Sequence, residues 1–312
     1  MKNKILILTL FLFIGGCATS YKSLLPNYGK IPAAMSLEIR EGVERLYSAD
    51  PVERATGMWR LGMMESDAES AIPYLIAFLY DSSTISWPEE SEVYLFFQDH
   101  QQEISFMFNS NVSGSIAAWA LSRIGESALD ELDKVFHATA WHYEPIPVGN
   151  AGLALSNMGK PATELLIHKL EKGNWDIRSV AAMALGYSPA KDIRAVEPLV
   201  RALNDCCIDI EAAYALGNIG DTRAIKPLME YWSRNAPINP RAVRSAMVSL
   251  GKLKATEAVE LLIFYLRVKF DVLDIRPDVH QALFNITGQD FGYDWDQWQV
   301  WWNAHKANFK FE

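Results

Sequence analysis

The sequence has 312 residues, half of them hydrophobic, a formal net charge of −9 and three cysteines. Such a chain is too apolar to be intrinsically disordered, and three thiols cannot brace this length, so a hydrophobic core must hold it. The acidic balance argues against a nucleic-acid binder, which needs a basic face to displace counterions from phosphates.

The chain opens with Lys2 and Lys4, an apolar run over residues 5–14, and then Gly15, Gly16 and Cys17. Ten apolar residues are half of the ~20 needed to span a bilayer, so the run reads as the core of a signal peptide. Ile14, Gly15, Gly16 and Cys17 resemble a bacterial lipobox. That resemblance implies a signal peptide over residues 1–16, diacylglyceryl transfer to the Cys17 thiol, and N-acylation after cleavage. Removing residues 1–16 takes away Lys2 and Lys4 and no acid, which moves the side-chain charge from −9 to −11. Several acyl chains hold a membrane far more firmly than one, at ~0.8 kcal/mol per buried methylene. Ala18 after the cysteine resembles the default outer-membrane sorting signal of a Gram-negative cell. Residues 17–35 then read as a lipidated tether, with Pro26, Gly29 and Pro32.

A lone helix is expected over residues 36–49, on Leu37, Ile39, Val43 and Leu46. Asp50 reads as the N-cap of the next helix, with Glu53 in capping-box position. From there to residue 286 the sequence repeats itself, the feature that decides the architecture. Small-residue cores end in leucine: Ala181, Ala182, Ala184 and Leu185; Ala212, Ala213, Ala215 and Leu216; Ala246, Ser249 and Leu250. Weaker copies centre on Leu61, Leu121, Leu155 and Leu283. From Leu121 onward the leucines are 34, 30, 31, 34 and 33 residues apart. Four residues before six of the seven leucines stands Gly57, Ala117, Ala151, Ala181, Ala212 or Ala246, on the same helix face. A column of small residues lets the helix of one repeat approach that of the next. Gly186, Gly217 and Gly251 are expected to support the turn that follows.

A second helix then carries an i, i+3, i+4, i+7 stripe. Its copies are Ile72, Leu75, Ile76 and Leu79; Val196, Leu199, Val200 and Leu203; Ile225, Leu228, Met229 and Trp232; and Val259, Leu262, Ile263 and Leu266. Pro73, Pro198 and Pro227 fall in the first turns of these helices, where a missing N–H is tolerated. The small-residue leucine-glycine cores and the proline-leucine segments resemble the short HEAT-like repeat of phycobilisome lyases. The resemblance implies an all-α, right-handed α-α superhelix of about seven helix pairs. It also implies arginine-aspartate contacts at Arg54, Asp81, Arg178 and Asp205, in a ladder that Asp209 and Val243 would interrupt.

Three stretches stand apart. Residues 82–112 fill a double-length interval with aromatics among acids. They read either as a degenerate repeat, with a helix over about residues 92–108, or as an insertion presenting apolar side chains to a partner. Adjacent Cys206 and Cys207 read as small hydrophobes, at least one of them buried, or as a pair free for metal, redox or partner chemistry. Residues 287–312 place Trp295, Trp298, Trp301 and Trp302 on one helical face behind Asp294 and Gln297, which read as a capping box. They read as a terminal cap, with an aromatic ligand platform as the alternative.

No catalytic constellation is expected. None of the six histidines is followed by glutamate, and HExxH, Walker and GxSxG motifs are absent. His137, His142 and Glu144 read as loop residues rather than ligands, so no metal and no cofactor is expected. By register, Lys134, His168, Arg201, Glu230 and Phe264 line a candidate partner-binding groove, beside a row of Asp130, Glu164, Glu197, Lys226 and Glu260. The expectation is a non-enzymatic, lipid-anchored scaffold that binds an envelope protein and no nucleic acid. Its place would be the bacterial cell envelope, on the outer membrane facing the periplasm if Gram-negative. The alternative is a lyase-related enzyme or accessory acting on a tetrapyrrole or other covalent substrate.

Overall fold

The computed structural model describes residues 21–100, 109, 111–138, 145–236, 239–268 and 274–309, without the side chains of 137, 138 and 145. Helices α1 (Tyr21–Leu24) and α2 (Leu37–Arg45) precede the array. The first pair is α3 (Pro51–Met63) with α4 (Ile72–Phe78). After α5 (Glu92–Asp99) come α6 (Ser113–Ile124) with α7 (Leu129–Ala138), and α8 (Pro145–Met158) with α9 (Thr163–Lys172). Then follow α10 (Trp175–Tyr187) with α11 (Val196–Ala202), and α12 (Asp209–Ile219) with α13 (Ile225–Asn235). The array ends in α14 (Pro240–Lys252) with α15 (Val259–Tyr265), and α16 (Arg276–Thr287) with α17 (Trp295–His305). The first helices pack in series, α3 on α6, α6 on α8, and so on to α16. The fold is an all-α superhelical repeat, with one apolar core running between the two layers.

The column of small residues does what the sequence indicates. Ala117, Ala151, Ala181, Ala212 and Ala246 are completely buried. Gly186, Gly217 and Gly251 have a different role from the one expected. They lie inside α10, α12 and α14, one or two residues before the helix ends. A Cβ at Gly186 would stand 2.4 Å from the Cα of Ala215, one at Gly217 2.6 Å from that of Ser249, and one at Gly251 2.8 Å from that of Ala282. These glycines are where the backbone of one repeat meets the next. Beside Gly217, the buried Ser249 hydroxyl donates 2.7 Å to the Ala213 carbonyl across that contact. The turns are made by a later residue at positive φ, Gly125 and Gly220 in two repeats, Lys191 and Lys254 in two others.

Residues 82–112 are not a repeat in the series, because α3 packs directly on α6. They leave and return at one place. Thr84 and Val112 form an antiparallel bridge, Ile85 N donates 2.8 Å to Asn111 O, and Ser113 N 3.1 Å to Ser83 O. Nor does the insertion hold its aromatics outward where it is described. Val93 and Phe97 are buried, and Phe96 and Phe97 pack edge-on against Trp119 at 5.5 and 5.1 Å. Residues 101–108 lie outside the described part.

The N-terminal segment also differs from expectation. From Tyr21 onward it is docked on the first repeat rather than free. The Tyr21 ring lies 4.8 Å from that of Phe78, Tyr28 packs edge-on against Tyr47 at 5.0 Å, and the Tyr47 hydroxyl donates to the Pro26 carbonyl. Arg40 holds the carbonyls of Pro32 and Ala33 at 3.1 and 2.9 Å. Ser36 caps α2, and Asp50 caps α3 by accepting from Val52 N at 2.9 Å. Glu53 does not complete the capping box, because Arg45 takes its carboxylate.

At the other end Trp298 and Trp302 are buried, while Trp295 and Trp301 are half-exposed and flank them. Asp294 caps α17, accepting from Gln297 N at 3.0 Å, and the Gln297 amide returns to the same carboxylate at 2.8 Å. The helix packs on α15 as a terminal cap.

Candidate functional site

The second helices form a layer whose outward positions fall where the register places them. Lys134, His168, Arg201, Glu230 and Phe264 are all exposed, as are Asp130, Glu164, Glu197, Lys226 and Glu260. The reason is periodicity: each lies on the side of its helix opposite the buried stripe. Phe264 is the one large apolar side chain among the ten, and 58% of it is exposed. The charges are largely paired locally or to the neighbouring repeat. Arg201 reaches Glu171 of the preceding repeat, Lys134 pairs with Glu131 in its own helix, and Lys226 stands 4.0 Å from Glu230. Pairs this exposed are largely screened by solvent, so they set surface pattern more than stability.

The expected arginine-aspartate contacts form, but inside repeats. Buried Arg54 lies 3.7 Å from buried Asp81 and donates to the carbonyls of Ser48 and Ala49 at 3.1 and 2.9 Å. Arg178 pairs with Asp205. In the next repeat Asp209 accepts instead from the Tyr231 hydroxyl at 2.9 Å. There the Tyr231 phenol is pushed well above its usual range, first by burial and then by that carboxylate.

The inter-repeat ladder sits elsewhere. Asp192 accepts from Arg194 N at 3.0 Å, from the Arg194 guanidinium at 2.6–3.1 Å, and from the Thr163 hydroxyl of the previous repeat at 3.1 Å. Arg194 reaches on to Glu164 at 2.9 Å and to the Lys160 carbonyl at 3.2 Å. Asp221 with Arg223 and Asp274 with Arg276 repeat the clip, and Arg223 reaches back to Ile193 O at 3.4 Å. The signal was present as Asp-x-Arg at 192, 221 and 274. A second missed contact is Lys169, a nearly fully buried lysine in α9 that pairs with Asp133 of α7 and lies over the Phe136 ring at 5.7 Å.

The Arg194 guanidinium, more than any other group, holds the Asp192 carboxyl down at about 2, from an ordinary 3.8. A carboxyl depressed in the folded state contributes stability that is complete above 3.8 and disappears as pH falls through about 2. Asp192→Asn is therefore expected to lower the unfolding free energy by about 2 kcal/mol at neutral pH. The gap to wild type should close between about pH 4 and pH 2. Urea unfolding of both proteins across that range measures it, and a pH-independent gap would show that charge plays no part.

Cys206 and Cys207 are both exposed, against the expectation that at least one is buried. They stand on the turn between α11 and α12, where buried Ile208, not a cysteine, anchors the chain. Asp205 beside them makes a cluster whose ligand atoms all lie within 4.8 Å of one another. His142 and Glu144, the His137 side chain and Cys17 lie outside the described residues.

Residues 163–238 match the family described as HEAT repeats. The repeats within that span are HEAT-like. None of the curated proteins matches the sequence. Among solved structures, an engineered protein from a structural genomics consortium is 19% identical, with a TM-score of 0.37 over 80% of this chain and 78% of that one. The complex of CpcE and CpcF of phycocyanin lyase from Nostoc sp. PCC7120 is also 19% identical, with a TM-score of 0.35 over 84% of this chain and 82% of that one. No helix among the described residues is long and apolar enough to cross a membrane.

Proposed function

We propose that this HEAT-like repeat protein is a non-enzymatic scaffold, anchored by lipid at Cys17 in the bacterial envelope, that binds a protein partner along its second helices. The observation that carries the reading is the row of ten exposed positions on successive second helices, mixed in charge and centred on no reactive group. Solenoids of this kind use extended surface rather than a pocket. The docked N-terminus supports a membrane-proximal placement. Tyr21 is held on the first repeat, and only residues 18–20 separate it from Cys17. Fully extended, that stretch reaches no more than ~14 Å, so an acylated Cys17 would hold the first repeat close to the lipid surface.

Two measurements test the reading. Metabolic labelling with a palmitate analogue should tag the wild type, and Cys17→Ser should abolish the tag and release the protein from the membrane fraction. An untagged wild type removes the anchor. For the surface, a photo-crosslinking residue at position 264 should trap one partner of defined mass in intact cells. Joint charge reversal by Arg201→Glu and Glu230→Lys should reduce that adduct about tenfold or more, because like charges facing each other across an interface cost several kcal/mol. An adduct unchanged by the reversal would move the partner to another face.

A further inference from the structure

The Asp205, Cys206 and Cys207 cluster has no part in the scaffold reading, and the fold does not require its thiols. The first repeat builds the same turn with Asp81, Ser82 and Ser83. There Ser83 N donates 2.9 Å to Asp81 Oδ1, as Cys207 N donates 3.0 Å to Asp205 Oδ1. Serine serves in one repeat, and cysteine stands at two successive positions in the other. Both thiols are exposed, so neither fills the core.

The geometry points to a binding site for a thiophilic divalent cation of the zinc class, formed by the Cys206 and Cys207 thiolates and the Asp205 carboxylate. Two sulfurs bound at ~2.3 Å to a tetrahedral ion lie about 3.8 Å apart. The Sγ atoms of Cys206 and Cys207 are 3.9 Å apart. The carboxylate oxygen lies within 4.8 Å of both sulfurs, a gap that rotation of exposed side chains can close.

The turn that carries them is fixed. Asp205 N donates to Ala202 O at 3.0 Å, Ile208 N and Asp209 N return to Asp205 O at 3.1 and 2.9 Å, and Ile208 is completely buried. Arg234 of the following repeat holds Leu203 O at 3.0 Å and Asn204 Oδ1 at 2.8 Å. A ligand set of fixed backbone and rotatable tips needs little ordering to close on an ion. Two thiolates and a carboxylate leave a divalent ion one negative charge in excess, and Arg178, already on Asp205, offsets it. Sulfur ligands select soft cations over magnesium and calcium. Three protein ligands leave a fourth position open to solvent or to a partner's side chain.

The test uses the full chain with Cys17→Ser, in which Cys206 and Cys207 are the only thiols. The reduced protein is titrated with Cd(II), whose thiolate charge-transfer absorption reports sulfur ligation, and Zn(II) is then added as competitor. One Cd(II) per chain is expected, displaced by Zn(II). Cys206→Ser and Cys207→Ser should each weaken binding about 100-fold, and Asp205→Asn about tenfold with the absorption retained. Far-ultraviolet circular dichroism should match the parent in every variant. Absence of the absorption, one ion shared between two chains, or no titratable thiol in protein purified without reductant would each overturn the site.

Discussion

Gly186→Ala is expected to destabilise the protein by about 1–2 kcal/mol, although alanine is the better helix former by about 0.5–1 kcal/mol. Packing wins over propensity here. The new methyl would lie 2.4 Å from Ala215 Cα and 2.6 Å from its Cβ, and the first of these is backbone with no rotamer to change. Relief requires moving α12 away from α10. In a solenoid that strains both flanking contacts, because stability is the sum of the repeats and their interfaces. Gly186→Val adds two further carbons and is expected to cost about 3 kcal/mol or more. The internal control is Gly149→Ala. Gly149 also lies within a helix, α8, but a Cβ there meets nothing within 4 Å, so the same substitution should stabilise by about 0.5–1 kcal/mol. Urea unfolding of the two alanine variants decides the matter. Shifts of the same sign would refute the close-approach role.

The repeat was legible because its signal is periodic. Leucines at one spacing and small residues four before them require only that helices recur, and that fixes the fold class, the core and the outward rows. The glycines were misplaced for a related reason. Gly186 is a helix-ending residue by propensity, and only the position of Ala215, 29 residues on, shows that its missing Cβ is needed for contact. The insertion at 82–112 has aromatic content that suits either a repeat or a surface. What decides is the direct contact of α3 with α6, a long-range fact. Cys206 and Cys207 precede a helix that needs one buried anchor at its start, and Ile208 supplies it one residue later. The Asp-x-Arg clips were only partly within reach of the sequence: Asp192 and Asp221 are 29 residues apart, but Asp274 follows after 53, and Arg178 of the same pattern at Asp176 pairs with Asp205 instead. They stand in the turns, outside the apolar pattern that organises everything else.

The docked N-terminus and the tryptophan cap close the two open ends of one stack, but with different chemistry. The first end is sealed by phenol rings and their polar contacts, with Tyr21 on Phe78 at 4.8 Å, Arg54 beneath the Tyr21 ring at 5.5 Å and Tyr47 on the Pro26 carbonyl. Burial pushes the Tyr47 phenol up to about 12, so this hydroxyl is a donor at neutral pH. The second end is sealed by indole area. Exposed core at either end would be a surface for self-association, as in any solenoid without caps.

The cap therefore carries the other large effect. Trp298→Ala is expected to cost about 3–5 kcal/mol, the range for truncating a buried aromatic that leaves a cavity. The side chain is completely buried, packs edge-on with Phe291 at 5.0 Å, and donates from Nε1 to Gly292 O at 3.0 Å. That bond ties the turn before α17 to the helix itself, so truncation frees the turn as well as emptying the core. Trp295→Ala is the contrast. Trp295 is half-exposed, with the Arg267 guanidinium 4.6 Å from its ring centroid, and its loss should cost only about 1 kcal/mol. The loss in Trp298→Ala should also be local at first. Hydrogen exchange should show protection falling in residues 287–309 while residues 176–267 keep theirs, since each repeat contacts mainly its neighbours. Equal destabilisation by the two variants, or uniform loss of protection along the array, would contradict the assignment of Trp298 as the anchor of the cap. If the tryptophans served instead as a ligand platform, the half-exposed Trp295 would be the functional residue and its removal would leave stability intact. A Trp295 cost near 1 kcal/mol therefore supports the end cap, and a cost of zero the binding surface.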